Sequence, residues 1–84
     1  SGANLRGINL QILHEREEWI DLSQVNLRNA DLSGAMLEAA DFSEADLQGA
    51  KFQASILDYA AFENANLKGV NFFEASLYSA CFVN

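Results

Sequence analysis

Only five of the 84 residues are Lys or Arg, one is histidine and one is cysteine. Five cations against twelve carboxylates leave a formal charge of −7. That balance argues against direct binding to nucleic acid and suits a basic partner. Cys81 has no second cysteine to pair with internally, so it does not constrain the compartment. His14 lies beside Glu15 and Glu17, but one histidine with flexible carboxylates lacks the ligand count and spacing of a zinc site. No apolar run approaches 18 residues, which excludes a transmembrane helix, and no membrane contact is expected. The opening SGANLRG lacks a basic region followed by an apolar stretch, so no signal peptide is expected there. Also missing are a nucleophile–base pair, a glycine-rich phosphate loop and a metal cluster. No enzyme activity, cofactor or metal is therefore expected.

What the chain does have is apolar content, at 50% of residues, with 20% charged. This composition is neither disordered nor membrane-like. The length allows one domain, over residues 1–84, near the size at which a single core barely suffices.

Residues 30–54 read ADLSG, AMLEA, ADFSE, ADLQG, AKFQA, and the same five-residue division runs unbroken from Ile20 to Asn84. The block centres are Leu22, Leu27, Leu32, Leu37, Phe42, Leu47, Phe52, Leu57, Phe62, Leu67, Phe72, Leu77 and Phe82. Two positions before each centre stands a small or β-branched residue. Two further blocks, ANLRG and INLQI, precede the interruption LHEREEW at 13–19. A helix does not accommodate this period, because five residues advance the chain by roughly 140° past a full turn and scatter the large residues around the cylinder. A straight strand fails as well, since an odd spacing alternates faces. The pattern works if the chain turns a corner once per block, with the small residue and the Leu or Phe pointing inward and the other three positions outward.

At a spacing of 20 the centres fall into columns. Leu22, Phe42, Phe62 and Phe82 form one, and Leu32, Phe52 and Phe72 another; the remaining columns contain only Leu. Segregation of every central Phe into alternate columns predicts a four-sided coil of 20 residues, an all-β solenoid with Phe stacked on two opposite walls. ADLSG, ADLQG, ANLKG and ANLRG match the motif A(D/N)LXX, and the chain resembles the pentapeptide repeat family over about nine tenths of its length. The resemblance implies a right-handed quadrilateral β-helix with a solid core. Fifteen blocks at four per turn would make just under four coils, a rod about 18 Å long.

The outward residues hold whatever specificity exists. The seven residues of LHEREEW are read as a loop inserted at one corner, with Trp19 and Leu13 folded against the coil and Glu15, Arg16, Glu17 and Glu18 available for recognition. Asn4, Asn9, Asp21, Asn26, Asp31, Asp41, Asp46, Asn66 and Asn71 precede the centres, where short polar side chains are expected to bond backbone at the turns. Residues 13–49 hold nine carboxylates against two arginines. This predicts an acidic half, with Asp21, Asp41, Glu44, Asp46 and Glu63 close together. Met36 and Ile56 stand where the motif has Asp or Asn, one coil apart, with Tyr59 and Tyr78 alongside; such an outward cluster marks a candidate interaction face. Ala61 and Cys81 fall on the adjoining wall, with Cys81 outward.

Two functions follow from these features. The first is a non-catalytic structural or protein-interaction module. It would bind an unidentified protein or a second copy, through the Met36/Ile56 wall or the C-terminal coil, where exposed edge groups invite another chain. The alternative, carried by the resemblance, is an acidic DNA mimic that binds DNA gyrase or another DNA-binding protein. Duplex DNA carries one charge per roughly 1.7 Å, a density that acidic rods can imitate.

Overall fold

The computed structural model describes residues 2–8 and 20–83. The corner loop read at 13–19, and Asn9, lie outside the described residues. From Asp21 onward each residue before a centre forms a parallel bridge with its counterpart 20 residues later: Asp21 with Asp41, Asn26 with Asp46, Asp31 with Lys51 and Met36 with Ile56, and so on to Ala61 with Cys81. Asn4 pairs with Asp31 instead, so the spacing lengthens to 27 across the seven-residue interruption while the register is preserved.

Four walls result. The first is built from 20–24, 40–44, 60–64 and 80–83, and the second from 25–29, 45–49 and 65–69. The third comprises 3–7, 30–34, 50–54 and 70–74, and the fourth 35–39, 55–59 and 75–79. A corner every five residues limits each wall to one bridging residue per rung. The contacts among the described residues are therefore isolated parallel bridges.

The backbone donors from Asp31 to Ala35 show why the repeat has this composition. The Asp31 amide donates up the coil to the Ala3 carbonyl (2.8 Å), while Leu32 and Gly34 donate down it to Lys51 (2.7 Å) and Gln53 (2.8 Å). The Ala35 amide closes the corner onto the Leu32 carbonyl at 3.0 Å. Only the Ser33 amide finds no backbone partner, and it donates to Asp31 Oδ1 at 3.1 Å. Every amide of the block is thus paired, as a coil with so little extended structure requires.

The same side-chain bond recurs from Asn4, Asp21, Asn26, Asp41, Asp46, Asn66 and Asn71 to the amide two residues on. Asp and Asn before the centre are turn acceptors first, as their chemistry suggests. Each corner then needs a positive φ at the last residue of its block, the third residue of a type II turn. Gly7, Gly34, Gly49 and Gly69 supply it, but so do Ala39 (61°), Ala54 (59°), Tyr59 (64°) and Glu74 (60°), at a steric cost glycine avoids.

Inside, Phe42 stacks on Phe62 at 5.2 Å and Phe52 on Phe72 at 5.6 Å, nearly parallel, while Phe42 and Phe52 meet edge to face across the core. Leu32, Leu37, Phe42, Leu47, Phe52, Leu57 and Phe62 are buried. Ser55 takes an alanine position, and its hydroxyl donates to the Phe52 carbonyl at 2.7 Å. The outer rungs are less enclosed: Leu22, Leu27, Leu67, Phe72 and Leu77 are partly buried. The expectation that every centre lies within the core fails at Phe82, which is 41% exposed. It stacks on Phe62 at 5.0 Å and touches Phe72 edge-on, but no described residue covers its other face.

Candidate interaction wall

The fourth wall exposes Met36, Ile56, Tyr59 and Tyr78 together. Met36 and Ile56 bridge directly, and Ile56 bridges Ser76 on the next rung. Their place before the centre points them outward, and neither offers an acceptor oxygen to the amide two residues on. The Tyr59 and Tyr78 rings meet edge to face with centroids 5.6 Å apart, and are 55% and 67% exposed. Tyr59 occupies the corner into the first wall, in the positive-φ position.

Asp58 is the residue that sequence reasoning missed here. Its Oδ1 accepts from the Ser76 hydroxyl at 2.5 Å and from the Tyr78 amide at 3.1 Å. An acid from one rung thus takes over the turn-acceptor role in the next, where Ser76 has replaced the usual Asp or Asn, and it anchors the backbone beneath Tyr78. Phe73, at 64% exposure, was also missed. It follows a core Phe, and only its step past the block centre marks it as outward, at the edge of the third wall nearest the fourth.

The acidic residues are arranged differently from the linear tally. Asp21, Asp41, Glu44 and Glu63 share the first wall: Asp21 and Asp41 bridge, and the Glu44 amide donates to the Glu63 carbonyl at 2.8 Å. Asp46 does not join them. One corner further on, it lies on the second wall and pairs with Arg28 at 3.4 Å. Asp31, on the third wall, pairs with Arg6 at 3.2 Å and bridges Lys51.

Among the described residues every Lys and Arg stands on the second or third wall, as Arg6, Arg28, Lys51 and Lys68. The first and fourth walls carry Asp21, Glu38, Asp41, Glu44, Asp58 and Glu63, with no cation among the described residues. Charge is therefore sorted around the coil more than along it. The carboxyls of Asp21 and Asp31 are held below the usual carboxylate range, chiefly by the hydroxyls of Ser23 and Ser33 and then by those residues' amides.

Cys81 is half-buried beside Ala61 on the first wall. Two surface hollows, one lined by Arg6, Ser33, Gly34, Gln53 and Ala54 and the other by Gly2, Ala3 and residues 26–30, are open to solvent. Among the described residues no group of three His, Cys, Asp or Glu is placed to hold a metal, and no helix is long and apolar enough to cross a membrane. What this surface can do chemically is present apolar, aromatic and anionic groups on a fixed frame.

Comparison with known proteins places this geometry. A family model described as pentapeptide repeats matches residues 20–58 and 57–84. HetL, a pentapeptide repeat protein involved in heterocyst differentiation regulation in the cyanobacterium Nostoc sp. strain PCC 7120, is 27% identical over 96% of this chain, with a TM-score of 0.67. A second pentapeptide repeat protein from Nostoc PCC 7120 is 32% identical over 92% of it, with a TM-score of 0.56. The chain spans 45% and 62% of the lengths of these two structures. No curated protein sequence matches.

Proposed function

Since the chain belongs to the pentapeptide repeat family, whose coil is a right-handed quadrilateral β-helix, we propose that it is a non-catalytic protein-interaction module of just under four such coils, formed by residues 1–84 as one domain. Members of this family are generally structural, and a solid core leaves no interior pocket for a small molecule. The observation that carries the reading is the fourth wall: Met36 bridges Ile56, the Tyr59 and Tyr78 rings meet edge to face, and all four are exposed in place of polar decoration. Contiguous exposed apolar groups on a small rigid scaffold mark binding surfaces more often than scattered ones do.

The DNA-mimic alternative has no support from the family or the matched structures, and Arg6, Arg28, Lys51 and Lys68 interrupt the acidic surface on the second and third walls.

The test is Ile56→Asp. An outward substitution should change folding stability by less than about 1 kcal/mol, read by thermal unfolding, while abolishing capture of the protein's partner or any dimer seen by light scattering. Unchanged capture and unchanged mass in the variant would reject the wall.

A further inference from the structure

We infer, resting on the interaction-wall reading, that the fourth wall docks a cationic amphipathic segment of a partner protein, with its apolar side chains over Met36 and Ile56 and its Lys or Arg side chains against Tyr59, Tyr78 and the carboxylates around them. Charge complementarity beside an apolar centre selects this partner. The wall is a strip of Met36 and Ile56, bordered on one side by Asp58 in the same block as Ile56, and across the Tyr59 corner on that side it meets the first wall with Asp41, Glu44 and Glu63. No Lys or Arg stands on either wall among the described residues. A partner covering the strip therefore faces negative charge on the side of the Tyr59 corner, and needs positive charge along the edge of its apolar ridge that lies over this corner.

The tyrosines sharpen the class of side chain. Two exposed rings at 84° to one another offer aromatic surface in two orientations, the setting in which a guanidinium or ammonium gains from the ring quadrupole. Asp58 commits Oδ1 to Ser76 and Tyr78, which holds its carboxylate in place beneath the Tyr78 backbone as the counter-charge. A second copy docked through this wall would bring it no counter-charge, because no described Lys or Arg stands on the first or fourth wall.

The experiment is calorimetric titration of the folded protein with three short peptides: an amphipathic Lys/Leu sequence, the same pattern written Glu/Leu, and a Lys/Ser sequence of equal charge. The Lys/Leu peptide should bind at least about tenfold more tightly than either control, weaken as salt is raised, and lose about tenfold on Tyr59→Ser or Ile56→Asp. Equal binding of Lys/Leu and Glu/Leu that is still lost in Ile56→Asp would overturn the cationic class while leaving the interaction wall standing. Binding of Lys/Leu that Ile56→Asp and Tyr59→Ser leave unchanged would overturn both. So would binding of none of the peptides by a protein that also stays monomeric and captures no partner. A dimer abolished by Ile56→Asp, with no peptide bound, would assign the wall to a second copy and overturn the cationic segment.

Discussion

The first and fourth walls share their backbone hydrogen bonds and core with the second and third, and differ in the side chains they point outward. On the second and third walls acids meet bases, as in Arg6 with Asp31 and Arg28 with Asp46. On the first and fourth, carboxylates meet carboxylates and apolar side chains meet apolar side chains. The inward alphabet of small residue and Leu or Phe is tied to closing the coil. The outward alphabet is free to vary wall by wall, so any specificity has to be sought there. In a solenoid each rung leans on its neighbours, which makes the comparison testable one residue at a time.

The largest effect should come from the part all walls share. Phe52→Ala, between rungs on both sides, should cost about 3–5 kcal/mol in chemical denaturation and harm binding on every wall alike. Phe82→Ala, covered on one side only, should cost less than half as much; equal losses would mean that enclosure does not set the contribution of a rung. Smaller effects follow at the corners. Ala39→Gly on the fourth wall and Ala54→Gly on the third should each raise stability by about 0.5–1 kcal/mol, because both alanines hold a left-handed φ. A loss at either position would show that the corner conformation differs from wall to wall.

Among outward polar residues, Asp41→Ala should remove the acceptor of the Ser43 amide and cost about 1 kcal/mol. Ala61→Asn, one rung on, should regain a similar bond for the Glu63 amide and stabilise by about as much. The smallest effect concerns pH. Asp21 and Asp31 have folded-state values below their unfolded ones. Their stabilisation is present above the ordinary carboxylate range and is lost as pH falls through the lowered folded values. Asp21→Asn should flatten the acid limb of the unfolding midpoint against pH, while leaving the midpoint near neutrality close to that of the parent.

Much of this was readable from spacing. The five-residue period excludes helix and strand, and the 20-residue columns place Phe42 on Phe62 and Met36 on Ile56, because stacking in a coil is a matter of counting. The corner role of Asp and Asn followed from their chemistry. The left-handed corner residue went unread although its signal was present: Gly7, Gly34, Gly49 and Gly69 all close their blocks. The charge pattern was obscured by summing along the chain; Asp46 follows Glu44 by two residues yet lies around a corner from it. Asp58 could not have been found this way, since its bond to the Tyr78 amide joins two rungs and depends on where a side chain reaches.

The most direct measurement is amide and methyl chemical-shift mapping of the labelled protein titrated with the Lys/Leu peptide. The account predicts shifts centred on Met36, Ile56, Asp58, Tyr59 and Tyr78, spreading to Asp41, Glu44 and Glu63, with Arg28, Lys51 and Lys68 unmoved. Shifts centred on the second and third walls, or spread evenly over all four, would contradict it.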